Sequence, residues 1–130
     1  MANTGTFEKG PQSDPWMLGV KCATAITDTR LAYKLSTTDH ETAELCGDNE
    51  AIAGFPDRLA AIGETFNLRM AGHIIGLTSG AGVLAINDPI TSGASGTLRK
   101  AVIGTDLIQG YAESPTAATP NLPLTIRKGA

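Results

Sequence analysis

Aromatic residues are scarce in this chain: three Phe, two Tyr and one Trp make up 5% of it. A groove that grips a sugar or a flat ligand is ordinarily walled by aromatic rings. A small β-barrel ligand- or carbohydrate-binding module is therefore the second reading of the chain, not the first. Charge is sparse as well, at 18%, with a formal net charge of −3. Nucleic-acid binders carry a basic stripe and a high pI, so no nucleic-acid partner is expected. Thiols occur only at Cys22 and Cys46. Two cysteines cannot build the disulfide framework of a small secreted domain, and both are expected to stay reduced. No apolar run reaches the length of a membrane span, and the first residues lack the basic-then-apolar layout of a secretory signal. The expectation is a protein made in a cytoplasm that makes no membrane contact.

Short chemical signatures are missing too. There is no Gly-x-Ser-x-Gly elbow and no phosphate-binding loop. Cys22, Cys46, His40 and His73 lack zinc-site spacing. His40 stands in Asp39-His40-Glu41, but adjacent side chains on extended chain point apart. His73 follows Gly72 and reads as a turn residue, while Arg99-Lys100 and Arg127-Lys128 read as solvated strand ends. No catalytic residue, metal ligand or cofactor is expected, and the chain is not read as an enzyme.

What the chain does have is 15 glycines, 7 prolines and many Val, Ile and Thr, a mix that suits short strands joined by tight turns. One phrase occurs twice. Asn49-Glu50-Ala51-Ile52-Ala53-Gly54-Phe55 returns as Thr105-Asp106-Leu107-Ile108-Gln109-Gly110-Tyr111, an offset of 56. The match extends to Asp57 with Glu113 and to residues 66–70 with 122–126. Upstream the offset is 57, pairing Ile26 with Val83, Tyr33 with Ile90 and Leu45 with Val102. The chain thus reads as an N-terminal arm over 1–17 and a single β domain over 18–130, the latter a pseudo-repeat of 18–72 and 74–129.

Strands spaced every eight to twelve residues, without crossover helices, predict an all-β fold. The expected architecture is a small antiparallel β-barrel or sandwich made of two similar units of about 55 residues, which could close one shared barrel. A helical turn is predicted only over 56–63, with Pro56 at its start and Gly63 as its stop. Pro123 marks the last strand as an edge or as bulged. Period-2 alternation turns Val20, Leu31, Tyr33, Leu45, Ile52, Phe55, Phe66 and Leu68 inward in the first unit. In the second it turns Ile75, Ile90, Val102, Ile108, Tyr111, Leu124 and Ile126 inward. Residues 18–72 hold five basic and eight acidic side chains, and 73–130 hold four and three. A solvated surface explains that imbalance as well as a partner does, and it would also suit copies that dock the first half of one against the second half of another.

The arm has no helical or strand period. Phe7 and Trp16 are its only large anchors, and Pro11 and Pro15 limit its freedom. It is either a frayed end, with Trp16 capping the core, or an extended tether that inserts Phe7 and Trp16 into a partner. Phe7, Pro11, Pro15 and Trp16 are the candidate partner-binding residues.

Val83-Leu84-Ala85-Ile86-Asn87-Asp88-Pro89-Ile90 is followed by a Gly-rich loop, then Leu98-Arg99-Lys100-Ala101 and Ile108-Gln109-Gly110-Tyr111-Ala112. This pattern resembles that of the small head-decoration, or capsid cement, proteins of tailed bacteriophages, and the resemblance spans 18–129. Asn87-Asp88 stands where the pattern has Gly-Asp, and Gln109 interrupts its Ile-Gly pair. The resemblance implies a structural virion protein on the outer surface of a capsid. Its partners would be the major capsid protein, whose adjacent copies it bridges, and further copies of itself in a homotrimer.

Overall fold

Alternating aliphatic runs cut by Gly, Pro and Asn form ten short strands in the computed structural model, which describes residues 17–39 and 41–129. They are β1 Met17–Cys22, β2 Tyr33–Leu35, β3 Thr42–Leu45, β4 Phe55–Pro56, β5 Thr65–Arg69, β6 Gly72–Leu77, β7 Pro89–Ser92, β8 Leu98–Lys100, β9 Gly110–Ala112 and β10 Pro123–Lys128. The fold is all-β. Among the described residues the one helical element is a 3-10 turn over Ala94–Gly96.

The strands make two five-stranded sheets, ordered β2-β3-β1-β5-β4 and β6-β10-β9-β7-β8. Ladder pairings are antiparallel except that of β1 with β3. A single isolated bridge, and no ladder, links the two edges of each sheet, Tyr33 to Gly54 in the first and Thr78 to Leu98 in the second. The result is sandwich-like, not a closed barrel. The single barrel shared by both units does not form. Each unit satisfies its own strand edges, so no ladder is left to run across the seam.

Hydrogen bonds recur at the offsets of the sequence repeat. Ala53 N–H donates to Tyr33 O at 2.8 Å, and Gln109 N–H to Ile90 O at 2.9 Å. Tyr33 bridges Gly54 as Ile90 pairs with Gly110, and Ile26 bridges Ala60 as Leu84 bridges Thr116. The last pair moves one sequence match: Leu84, not Val83, answers Ile26, and Val83 is exposed. Likewise Tyr33 faces Leu45 while Ile90 faces Lys100, so Lys100, not Val102, answers Leu45.

The repeated glycine has a steric cause. A Cβ on Gly54 would lie 2.6 Å from Arg69 O, and one on Gly110 would lie 2.8 Å from Arg127 O. Only glycine lets each backbone approach its neighbour this closely.

One core lies within the first sheet, around Val20, Tyr33, Phe66 and Leu68, with Leu31 and Leu45 partly buried against it. The other joins Ile74, Ile90, Leu124 and Ile126 of the second sheet to Ile52 and Phe55 of the first. Four residues expected inside are exposed: Ile75, Val102, Ile108 and Tyr111. Ile74 takes the inward position on β6, which turns Ile75 out. Gly110 and Ala112 do the same on β9 and turn Tyr111 out.

Two local expectations also change. Residues 56–63 form no helical turn, because Pro56 pairs within β4 and Ala60 is held extended by its bridge to Ile26. Strand β10 is interior, between β6 and β9, not an edge. Pro123 is tolerated as its first residue, since the β9 ladder reaches only Ile126 and Arg127.

Candidate interaction surface

The seam between the sheets is made by the turn before β4. Asn49 adopts φ +52°, which Asn tolerates better than most residues, and the chain there swings onto the second sheet. Asn49 N–H donates to Ser92 O at 2.9 Å, Glu50 N–H to Ser92 Oγ at 2.8 Å, and Ser92 Oγ–H to Gly47 O at 2.8 Å. Gln109 Nε2 donates to Glu50 O at 2.7 Å, and its Oε1 accepts from Ile52 N–H. Arg99 completes the join. Its Nε and Nη2 donate to Asp48 at 2.7 and 3.2 Å, and its Nη1 to Asp106 at 2.7 Å. The Arg99 hydrogen bond, helped by Val102 N–H, holds the Asp106 carboxyl below its ordinary value, and the two aspartates raise the Arg99 guanidinium.

Equivalent positions of the two units differ in cover. Ile52 is 7% exposed and Phe55 is fully buried, because the second sheet lies on them. Their counterparts Ile108 and Tyr111 are 44% and 42% exposed. Beside them stand Val102, Ile103 and Leu107, also exposed, on a turn that Asp106 fixes by accepting from Val102 N–H at 2.8 Å. Four apolar side chains of the 102–108 turn, with Tyr111 on the following strand, thus stand exposed, and exposed apolar groups gathered in this way mark protein contacts. A groove of about 520 Å³ between Pro89, Lys100, Val102 and Ile103 adjoins it. Another of about 460 Å³ runs past Ile108, Tyr111 and Arg127. A third, of about 430 Å³, lies on the first unit against Lys34, Leu35, Thr37, Ala51 and Ala53. Such surfaces bind by shape and apolar contact.

Phe7, Pro11, Pro15 and Trp16 lie outside the described residues, as does His40. His73 stands in β6 opposite Arg127, not in a turn, and its Nδ1 is 2.6 Å from Glu113 Oε1. Arg127 packs over the Tyr111 ring at 5.8 Å. Lys128 is no solvated strand end. It is buried, its Nζ donates to Met70 O at 2.8 Å and Gly129 O at 3.1 Å, and burial lowers its pKa. Arg99, likewise read as a solvated strand end, is the seam cation. Cys22 and Cys46 are free, buried thiols. Burial, with the Glu50 carboxylate adding to it, pushes the Cys46 thiol up to about 12. Among the described residues no group of three or more His, Cys, Asp or Glu could hold a metal ion, and no helix is long and apolar enough to cross a membrane.

The outward patch was missed by alternation alone. The repeat carries the signal, since the positions that the second sheet covers in the first unit, Ile52 and Phe55, recur as exposed Ile108 and Tyr111.

No family model matches the chain, and no curated protein matches it either. Among solved structures, the head fiber gp8.5 N base of bacteriophage phi29 is similar to it in fold, with a TM-score of 0.64 and 14% identity. The alignment covers 87% of this chain and 92% of that one.

Proposed function

We propose that the chain is a structural protein of a bacteriophage head. It decorates the outer capsid surface as a homotrimer and stabilises the shell by bridging adjacent major capsid proteins. The observation that carries this reading is the fold shared with a phage head fiber base over most of both chains. Two further features support it. The outward apolar patch around Val102 and Ile108 suits adhesion, and the pattern in 83–112 resembles that of head-decoration proteins. A protein that binds several subunits only when they are assembled stabilises the shell by mass action, and this needs no active site. In this reading the residues before β1, which takes up Met17 of the expected arm, are a tether, with Phe7, Pro11, Pro15 and Trp16 at the capsid.

The test is co-sedimentation of the purified protein with intact heads and, separately, with free capsid protein. Binding to heads alone is expected. Equal binding to both, or to neither, would overturn the reading. A chain lacking residues 1–14 should melt as the full chain does but occupy fewer sites on heads at subsaturating concentration. Equal occupancy would remove the arm from the contact.

A second reading follows from the solved neighbour itself, which is the base of a head fiber. Micrographs of decorated heads would distinguish the two: a fiber base leaves density projecting beyond the domain, and a decoration protein leaves a flush boss.

A further inference from the structure

The seam between the two units is a head-to-tail contact, and each of its halves is present a second time without its mate. On the inserting side, the turn that ends in Ile52 belongs to the first unit, and its counterpart in the second ends in Ile108. The accepting side in the second unit is Thr91, Ser92 and Gln109. At the repeat offsets of 57, 57 and 56, its counterparts in the first unit are Lys34, Leu35 and Ala53. Those three residues line the groove of about 430 Å³, together with Ala51 and Thr37.

We infer that the 102–108 turn of one copy docks into the Leu35–Ala53 groove of a second copy, repeating between chains the contact that joins the units within one. This rests on the homotrimer reading and gives it a surface.

The chemistry of the two contacts changes in step on both sides. Within the chain, polar Ser92 and Gln109 meet the backbone of the 47–52 turn, and Thr91 Oγ1 donates to the Asn49 side chain at 3.4 Å. In the free pair Leu35 and Ala53 stand where Ser92 and Gln109 do, Lys34, its ammonium held by Glu50, stands where Thr91 does, and the inserting turn carries exposed Val102, Ile103, Leu107 and Ile108. Two polar groups of the acceptor thus give way to apolar ones where the inserting turn has become apolar. A contact with unlike halves leaves one half open at each end of a dimer. It therefore adds copies until a ring closes, as a cyclic trimer requires.

Two variants and their mixture test this on the full chain. Ile103→Asp places a charge at a position 76% exposed, so the fold should survive, and it should weaken self-association at least about tenfold by sedimentation velocity. Ala53→Arg should do the same from the acceptor side, with unchanged circular dichroism as the control for folding. The mixture is decisive, because each variant keeps one intact half. Combined, the two should form a 1:1 dimer that grows no further. A monomeric mixture, self-association retained by either variant, or a wild-type chain that stays monomeric at high concentration would overturn the inference. Head binding is read separately. Monomers that still sediment with heads would leave the capsid role standing, and head-to-tail oligomers that ignore heads would remove that role alone.

Discussion

Ile52 and Ile108 are the same residue at the same step of the repeat, yet they are not equivalent energetically. Ile52 sits at 7% exposure under the second sheet, and Ile108 at 44%. Truncating a buried isoleucine removes its transfer energy and leaves a cavity, so Ile52→Ala should cost about 2–5 kcal/mol. Ile108→Ala should cost under about 1 kcal/mol in the isolated chain, since surface changes move stability little. Urea denaturation of both variants at low protein concentration measures the difference, and equal losses would mean that Ile108 is covered. The thiols give a second residue-scale test. With Cys46 pushed up to about 12 by burial, its reactive thiolate is negligible at neutral pH. Alkylation of the native protein should leave Cys46 unmodified, whereas denaturant without reductant should expose two reactive thiols. Finding none in denaturant would mean a disulfide.

Among the elements, a tight backbone constraint lies where Gly54, just before β4, meets β5. Gly54 faces Arg69 O and Leu68 Cβ, which an added methyl would meet at 2.6 and 2.9 Å. Neither obstacle is the far end of a flexible side chain, so Gly54→Ala must part the strands. A loss above about 2 kcal/mol is expected, larger than the usual single substitution. Gly110→Ala should behave alike, because Arg127 O stands 2.8 Å from its added Cβ. Tolerance of both changes would detach the repeated glycine from its steric cause. Strand β10 shows why element rank is hard to read from sequence. A proline signals an edge only if a ladder needs its N–H, and here the β9 ladder starts beyond it.

At the scale of the molecule, each unit carries a carboxylate held beside the seam by a cation of its own unit, so the fold as a whole should respond to acid. The Asp106 carboxyl is lowered from its ordinary 3.8 by Arg99, and Glu50 from 4.5 by Lys34 and then Gly47 N–H. A depressed carboxyl contributes stability that is present above its unfolded value and lost as pH falls through its folded one. The melting temperature should therefore hold from neutral pH to about 5 and fall below the ordinary values of 4.5 and 3.8. Asp106→Asn should flatten part of that fall, and added salt should weaken the effect more at the partly exposed Lys34–Glu50 pair than at the largely buried Arg99–Asp106 pair. An acid slope unchanged by Asp106→Asn would assign the loss to other carboxyls.

Much was legible in the order of residues. Period-2 alternation and glycine-rich turns determined the all-β class, the strands and most of the first core. The twice-written phrase ending in Gly54 and Gly110 determined that two stretches pair alike, because a backbone contact that only glycine permits leaves its mark in the chain. Tertiary structure decided the rest. Whether Phe55 or Tyr111 is buried does not depend on its neighbours in sequence but on whether a second sheet lies over it, and only the first unit has one. Lys128 turned inward because Met70 O, 58 positions away, accepts from its ammonium. Arg99 became the seam cation because folding set Asp48 and Asp106 on either side of it. Local pattern specifies which way a strand can face, and burial is settled by what folding later places against that face.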